Sequence, residues 1–210
     1  MRSLRSSASS KVTCASGVLH TRQHSRESCC ATIPIMAFAN PEHILNTLKL
    51  SYGETVADLG CGAGYFTIAA ADRVGDTGKV YAIDIQDELL TKARSLDAQT
   101  RDHIEFIHGD LERPRGSHLS QSQVDTALLV NVLFQVEHPD AVVSEAARIL
   151  RPGGRLLIID WTDSFGGMGP QPEHVVSSEH AEEYAKAAGL TCEPFSASGD
   201  HHWGLLCTKH

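Results

Sequence analysis

Three glycines and an aspartate form the stretch of this 210-residue sequence that is best suited to bind a ligand. The segment DLGCGAGYF, residues 58–66, lies between a strand-like run and a helix-like run. Glycine-rich turns of this kind let the backbone approach a bound nucleotide closely. The carboxylate of Asp58, two residues before Gly60, would repel a phosphate in such a turn. The segment therefore favours a nucleotide-like ligand without a phosphate at the loop.

The spacing of the glycines separates two kinds of ligand. A dinucleotide loop follows the pattern G-x-G-x-x-G, and its third glycine, counted from Gly60, would fall at Tyr65. The sequence has Gly62 and Gly64 instead. S-adenosylmethionine carries a sulfonium and an ammonium group and no phosphate, so its positive charge is compatible with Asp58. The loop is better suited to S-adenosylmethionine than to a dinucleotide.

Two further acids follow predicted strands. Asp84 ends the second strand, 20 residues after Gly64, where an acid can accept hydrogen bonds from both ribose hydroxyls. Asp110 follows the third strand in FIHGDLE and can accept a hydrogen bond from the adenine amine. Either acid alone is typical of a solvated strand end. Together with the glycine loop they indicate a binding site at the carboxyl edge of a sheet.

The elements that position these acids alternate between strand and helix. The predicted strands are 55–59, 79–84, 103–108, 125–130 and 155–160, and the predicted helices between them are 65–73, 87–97 and 138–150. Strands that are apolar on both faces are typical of buried parallel sheets. A helix should begin at Asn40 and Pro41, and a last helix at 178–189 precedes strands at 190–197 and 202–208. We predict an α/β, doubly wound, mostly parallel seven-stranded sheet with a C-terminal antiparallel strand pair.

Several segments carry a family resemblance over residues 41–210. They are VADLGCGAGYFTIAAA, VYAIDIQDELL, IEFIHGDLE, VDTALLVNVLFQVEHPDAVVSEAARILRPGGRLLIIDW and EHAEEYAKAAGL. In order and spacing the chain resembles the class I S-adenosylmethionine-dependent methyltransferases, and is similar to the ubiquinone/menaquinone-biosynthesis methylase-like group. The resemblance implies a Rossmann-like methyltransferase fold, S-adenosylmethionine as cofactor, and in-line methyl transfer to an acceptor, which we expect to be a small molecule.

The resemblance also implies which residues bind the cofactor. They are Asp58, Gly60, Cys61, Gly62, Gly64, Asp84, Ile85, Asp110, Leu111 and Asn131. Ile85 would lie beside the adenine, Leu111 would pack on its ring, and Asn131, after the fourth strand, would lie near the methionine end. Cys61 is interpreted as a small packing residue rather than a nucleophile.

The acceptor is expected over the carboxyl ends of strands four and five. The segment 160–177 is long and glycine-rich, and its Trp161, Phe165 and Met168 are predicted to contact the acceptor. A disordered connection is the alternative for this segment. Asp160, at the end of strand five, is the first choice for a base or substrate anchor, and His138 is the second catalytic candidate.

Three more histidines are base candidates, although a surface role is the commoner explanation for each. They are His174, His201 and His202. The adjacent His201–His202 pair has no acid or cysteine at ligand spacing, so we predict no metal site. None of the six cysteines forms a CxxC motif, and reduced thiols in a cytoplasmic protein are expected.

Charge and composition exclude other classes of function. Residues 31–210 hold 13 basic and 25 acidic residues, so the body of the chain lacks the basic surface that nucleic acid requires. No apolar run reaches the roughly 20 residues that span a membrane. Residues 1–35 are serine-rich and are expected to be a disordered leader or a mis-assigned start, and residues 36–210 the methyltransferase domain. The protein is predicted to be cytoplasmic, or organelle-targeted if the leader is genuine.

Two alternatives to the methyltransferase remain open at this point. One is a non-catalytic S-adenosylmethionine-binding regulator or assembly subunit. The other is an NAD(P)-dependent oxidoreductase, which Tyr65 in place of the third glycine disfavours. The sequence does not reveal the identity of the acceptor or the oligomeric state.

Overall fold

The computed structural model describes residues 39–97, 101–164, 169–196 and 198–210. Helices and strands alternate along this part of the chain. The helices are α1 (Pro41–Leu48), α2 (Tyr65–Val74), α3 (Asp87–Leu96), α4 (Pro139–Ile149) and α5 (Ser178–Ala187). The strands are β1 (Thr55–Leu59), β2 (Lys79–Asp84), β3 (Ile104–His108), β4 (Val124–Val130), β5 (Leu150–Trp161), β6 (Leu190–Pro194) and β7 (His202–Lys209).

The strands form one seven-stranded sheet in the order β3-β2-β1-β4-β5-β7-β6. Strands β1 to β5 pair in parallel, and β7 pairs antiparallel with both β5 and β6. The predicted fold class is confirmed. The strand order reverses between β1 and β4, and this reversal opens a crevice at the carboxyl ends of the strands.

Helices cover both faces of the sheet. On one face Leu129 and Ile158 belong to an apolar core that includes α4 and α5. On the other face Leu128 and Leu157 belong to a core that includes α1 and α2. The two-sided burial explains why the strands lack a polar face. Within the described residues, no helix combines the length and the apolar character needed to cross a membrane.

The first helix begins where the sequence predicts. The side chain of Asn40 accepts a hydrogen bond from the His43 amide at 3.1 Å, and Pro41 occupies the first helical position. Ile44 and Leu45 are fully buried against α2 and the sheet. This capped helix fixes the edge of the domain next to the glycine loop.

The fifth strand begins earlier than predicted. Strand β5 starts at Leu150, directly after α4, and RPGG lies inside the strand rather than in a separate turn. Val124 pairs with Leu150 but Thr126 pairs with Arg155, so the extra residues form an irregularity in the ladder. Gly153 has a φ of +78°, which a residue with a side chain rarely adopts.

The expectation of reduced thiols is wrong for one pair of cysteines. Cys192 on β6 and Cys207 on β7 form a disulfide, and their Cα atoms are 3.9 Å apart. The two residues are direct cross-strand partners in the antiparallel register. Sequence spacing did not indicate the pair because the register of two strands, rather than a motif, brings the sulfurs together.

Strand β7 begins with a buried histidine. His202 is 6% exposed, its ring lies 4.4 Å from the Trp161 ring between centroids, and neither of its nitrogens has a hydrogen-bond partner in the part of the chain that the structure describes. Burial lowers the pKa of His202, and the nearby His201 lowers it further. The imidazole is therefore held in its neutral form.

Reduction of the disulfide should destabilise the fold. Closing a loop of 15 residues stabilises a protein by about 3 kcal/mol in the chain-entropy model. We expect a reductant to lower the free energy of unfolding of the native protein by this order, measured by urea denaturation. The control is Cys192→Ser, which should unfold identically with and without reductant. Equal stability of the native protein in both conditions would contradict the assignment.

Acid should destabilise the protein through His202. The unfolded chain has a histidine pKa of about 6.5 and the folded state a lower one. The stability due to neutral His202 is therefore complete above roughly pH 6.5 and is lost as the pH falls toward the folded-state pKa. His202→Phe keeps a ring against Trp161 and binds no proton.

The measurement is urea unfolding of the native protein and His202→Phe from about pH 8 to pH 5. The variant should lose less stability than the native protein on acidification. Burial raises the pKa of Asp58 and of Asp160 to about 6. Acidification therefore stabilises the fold through these two acids, in the native protein and in the variant alike. The difference between the two curves therefore isolates His202, and parallel curves would refute its titration.

Candidate active site

Strand β2 holds the glycine loop, residues 58–66, in place. The Cys61 amide donates to the Ile83 carbonyl at 2.9 Å, and the Gly62 amide donates to Asp84 Oδ2 at 2.8 Å. The other oxygen of Asp84 accepts from the Gln86 amide at 2.9 Å. The buried carboxylate of Asp84 thereby connects the glycine loop to the residue before α3.

Each glycine of the loop has a different surrounding. A Cβ atom on Gly60 would lie 2.6 Å from the Val132 side chain, and one on Gly64 would lie 2.7 Å from Cβ of Ala93 in α3. Both glycines have positive φ, +74° and +88°. A Cβ on Gly62 would meet nothing within 4 Å, because Gly62 faces open space. The loop is thus packed on two sides and open on the third.

That open side is a cleft of about 290 Å³, which we call the glycine-loop cleft. Six of the predicted cofactor residues line it: Gly60, Gly62, Asp84, Ile85, Asp110 and Leu111. Seven further residues complete the lining: Gln86, Leu89, Gly109, Glu112, Val132, Gln135 and Val136. Ile85 is 55% exposed, which is unusual for a large apolar side chain and leaves its face available to a ligand.

Four predicted cofactor residues lie behind the lining, and Asp58 and Cys61 are two of them. Asp58 is 3% exposed and accepts a hydrogen bond from Thr67 Oγ1 at 2.5 Å. Burial raises the pKa of Asp58 to about 6, and the charge of Asp84 adds to the rise, whereas the bond from Thr67 lowers it. Cys61 packs against Ala82, and burial raises the pKa of its thiol, so its interpretation as a packing residue is supported.

The other two are Gly64, described above, and Asn131. Asn131 has a φ of +58°, and its backbone amide donates to the Ile159 carbonyl at 2.8 Å. Its side-chain oxygen Oδ1 is buried without a hydrogen-bond partner among the described residues. An unpaired buried acceptor is costly, so Oδ1 needs a donor from a ligand or from water.

Asp110 is already engaged by its own loop. Its Oδ2 accepts from Arg113 Nε at 2.8 Å, and its Oδ1 accepts from the Glu112 amide at 3.1 Å. Glu112 in turn accepts from the backbone amide of His138 at 2.7 Å. The loop that follows β3 is therefore tied to the beginning of α4.

A second cavity of about 520 Å³ adjoins the cleft, and we call it the side cavity. Its described lining residues are Phe134, Gln135, Val136, Glu137, Gly169, Pro170, Gln171 and His174. Gln135 and Val136 line both cavities. The side cavity therefore lies between the segment after β4 and the segment after β5, where the acceptor was expected.

Asp160 has a different setting from the one expected for a base. It is 1% exposed, its Oδ2 accepts from the Leu133 amide and its Oδ1 from the Trp161 amide, both at 2.8 Å. Burial raises its pKa to about 6, against the lowering effect of backbone hydrogen bonds. The arrangement indicates that Asp160 positions the segment after β4 from behind rather than contacting an acceptor.

The predicted acceptor contacts are only partly described. Trp161 is 6% exposed, and its ring lies between His202 and Gly169, where a Cβ on Gly169 would come within 2.8 Å of the ring. Trp161 does not line the side cavity. Phe165 and Met168 lie outside the described residues. The structure thus gives Trp161 a packing role beneath the segment that follows β5.

The candidate histidines occupy four different settings. His174 is exposed and lines the side cavity. His138 is exposed at the beginning of α4 and lines neither cavity, and His201 lies 3.5 Å from Asp163. His202 is buried against Trp161. Geometry therefore favours His174 among the four.

Sequence reasoning missed the residues that the two cavities share. Gln135 and Val136 belong to a short 3-10 turn and its end, in a segment without strand or helix periodicity. Glu137 and Gln171 likewise follow no motif that would predict a site. Only the polar composition of LFQVEHP, directly after a buried strand, could have indicated them.

The chemistry of the cleft fits S-adenosylmethionine. Asp84 and Asp110 offer acceptors for hydroxyl and amine donors in the cleft. Asn131 Oδ1, which is not among the lining atoms, is a further acceptor without a donor among the described residues. No lysine or arginine is among the described residues that line the cleft, and the lining acids Asp84, Asp110 and Glu112 would repel a pyrophosphate. The residues present therefore suit a cationic, phosphate-free nucleoside.

Comparisons with known proteins agree with this chemistry. The model of a methyltransferase domain family matches residues 50–203. An S-adenosylmethionine-dependent methyltransferase from Aquifex aeolicus has a similar crystal structure, with a TM-score of 0.73, 27% identity, and coverage of 82% of this chain and 91% of that one.

Two curated relatives share part of the sequence. The arsenite methyltransferase of Halobacterium salinarum is 36% identical over 51% of this chain and 27% of its own length. The ubiquinone/menaquinone biosynthesis C-methyltransferase UbiE of Pseudomonas putida is 33% identical over 55% of this chain and 46% of its own length. The chain thus spans less than half the length of these relatives. The resemblance predicted from the sequence is confirmed: the chain belongs to the methyltransferase domain family, and its cofactor is S-adenosylmethionine.

Proposed function

We propose that this chain transfers the methyl group of S-adenosylmethionine to a small-molecule acceptor by in-line displacement. The observation that carries the proposal is the side cavity, which shares the lining residues Gln135 and Val136 with the glycine-loop cleft. An acceptor bound in the side cavity would lie beside the cofactor. Methyl transfer needs an acceptor aligned with the methyl carbon and shielded from water.

In this proposal Asp84 holds the ribose while keeping the glycine loop in place. Each of its oxygens accepts one backbone amide and retains a second lone pair. The two remaining lone pairs can accept the ribose hydroxyls. Binding of the ribose and positioning of the loop are therefore coupled through a single carboxylate.

The adenine and the methionine end have separate partners. Ile85 and Leu111 lie on the apolar part of the cleft, and Asp110 accepts the adenine amine beside its bond from Arg113. We assign Asn131 Oδ1 to the methionine ammonium, because this buried acceptor has no partner among the described residues. Asp58, behind the loop, adds negative charge that favours the sulfonium and the ammonium.

S-adenosylmethionine supplies an electrophilic methyl group on a positively charged sulfur. The chain's own contribution is alignment, exclusion of water and removal of a proton from the acceptor. We assign proton removal to His174, since it lines the side cavity and no other described residue bonds its ring. Asp160 and His138, the first choices from the sequence, are assigned to positioning and to the surface.

The name of one relative, the arsenite methyltransferase, concerns an acceptor that this site does not favour. Arsenite is a soft acceptor that binds thiolates. In the described residues Cys61 is buried and Cys192 is paired with Cys207, so no exposed thiol is present there. The side cavity instead offers a carboxylate, an imidazole and two amides beside an apolar wall.

A non-catalytic cofactor-binding subunit is the second candidate. It would bind S-adenosylmethionine but release no S-adenosylhomocysteine with any acceptor. Single-turnover incubation with a broad panel of small amines, phenols, acids and thiols distinguishes the two, because only an enzyme consumes the cofactor.

Localisation in the cytoplasm stays a prediction, and the disulfide is the observation against it, since such bonds persist mainly in oxidising compartments.

Asp84→Ala should weaken binding of S-adenosylmethionine by roughly tenfold to several hundredfold, because two charge-assisted hydrogen bonds are lost. Asp84→Asn keeps the size and one acceptor, and its loss should be intermediate. Calorimetric titration measures the affinities, and thermal melts establish that the variants fold. Asp87→Asn is the matched control: it removes an equal charge at an exposed position outside the cleft.

A ribose analogue separates binding of the ribose from positioning of the loop. Removing a ribose hydroxyl from S-adenosylhomocysteine should weaken binding to the native protein but not to Asp84→Ala. An equal loss in both proteins would assign Asp84 to the loop alone.

His174→Gln should reduce the turnover of a found acceptor by about hundredfold or more, the typical contribution of a positioned base. The affinity for S-adenosylmethionine should not change, because His174 is not part of the glycine-loop cleft. His138→Gln is the control, with the same substitution at an exposed histidine outside both cavities. Release of S-adenosylhomocysteine gives the rate. Equal rates for the two variants would remove His174 from the mechanism.

A further inference from the structure

We infer that the acceptor is an amine, which binds in the side cavity as a cation with Glu137 as its counter-ion. The inference rests on the proposed function and names its substrate class. It starts from the charges that surround the two adjoining cavities. The glycine-loop cleft is lined by Asp84, Asp110 and Glu112, and the side cavity by Glu137.

No lysine or arginine is among the described lining residues of either cavity. A carboxylate or phosphate acceptor would therefore face like charges, with no lysine or arginine among these described lining residues to pair with. A cationic or neutral acceptor meets no such repulsion.

Glu137 distinguishes the cationic acceptor from the neutral one. The carboxylates nearby are already engaged: Asp110 pairs with Arg113, and Glu145 with Arg148. Glu137 makes no ion pair and no hydrogen bond with any residue in the described ranges, although it lines the cavity. A carboxylate without an internal partner at this position is available to bind an ammonium group.

The remainder of the side cavity suits an amine that carries an apolar body. Phe134, Val136 and Pro170 form its apolar part, and the Phe134 ring can also attract a cation. Gln135 and Gln171 supply amide oxygens that accept N–H groups. Gln135 lies at the junction with the glycine-loop cleft, where the reacting nitrogen must reach the methyl carbon.

The reaction balances with these groups. His174 takes one proton from the bound ammonium and passes it to solvent, which frees the nitrogen lone pair. The lone pair forms a bond to the methyl carbon while the carbon–sulfur bond breaks and its electron pair stays on sulfur. The products are the N-methylated ammonium ion, neutral S-adenosylhomocysteine and one released proton. Glu137 binds the cation before and after the transfer.

Three probes of similar size and different charge test the inference. They are 2-phenylethylamine, phenylacetate and 2-phenylethanol, titrated calorimetrically into the protein saturated with S-adenosylhomocysteine. We expect the amine to bind about tenfold or more tightly than phenylacetate. With S-adenosylmethionine, release of S-adenosylhomocysteine should follow the same order.

Glu137→Gln should weaken binding of 2-phenylethylamine, because it removes the counter-ion of the ammonium group. The loss should be only about three- to tenfold, because the carboxylate is exposed and solvent reduces the interaction. The affinity for 2-phenylethanol should not change. The matched control is Glu173→Gln, which removes the same charge next to His174 from a residue that does not line the cavity. The control should bind all three probes like the native protein.

The outcomes separate this inference from the proposed function. Failure to bind S-adenosylmethionine overturns both. If the protein binds S-adenosylmethionine, two results overturn the amine inference alone. One is that phenylacetate binds as tightly as the amine. The other is that Glu137→Gln and the control Glu173→Gln bind the amine with equal affinity. Preferred binding and methylation of the amine, reduced selectively by Glu137→Gln, supports it.

Discussion

The site depends on the two hydrogen bonds that the carboxylate of Asp84 accepts from backbone amides. Its two oxygens accept amides from the glycine loop and from the residue before α3, at 2.8 and 2.9 Å. The loop also packs against Val132 and Ala93 and donates backbone amides to the Ile83 carbonyl. Asp84 adds a bond that ties the loop, through a single buried acid, to the end of β2 and to the start of α3. The acid remains accessible to the cleft through its unused lone pairs.

A second buried carboxylate holds a backbone segment in place on the other side of the strand reversal. Asp160, at the end of β5, accepts amides from Leu133 and Trp161 and so holds the segment that follows β4. That segment contributes Gln135 and Val136 to both cavities. Burial raises the pKa of Asp160 to about 6, which is the electrostatic cost of placing a charge there. The backbone amides offset part of that cost and give the segment a fixed position.

Charge of one sign gives the two cavities a common selectivity. The described lining residues include acids and no lysine or arginine, and the chain as a whole has a net charge of −8. Among the described lining acids, Asp110 is balanced by Arg113, whereas Asp84, Glu112 and Glu137 form no ion pair. An excess of negative charge therefore remains at the cavities. It suits a cationic cofactor and, in our inference, a cationic acceptor.

The sequence alone determined the fold class, the cofactor and the part of the site that depends on local geometry. Strand–helix alternation, the glycine spacing and the acids at strand ends are encoded within short segments, so Gly62, Asp84 and Asp110 could be assigned to the cleft from their positions. The tertiary structure decided what depends on pairing between distant segments. It paired Cys192 with Cys207 through strand register, buried Trp161 against His202, and placed backbone amides on both oxygens of Asp160. It also brought Glu137 and His174 into one cavity, because two segments that are 37 residues apart in the chain meet only where β4 and β5 end at the same sheet edge.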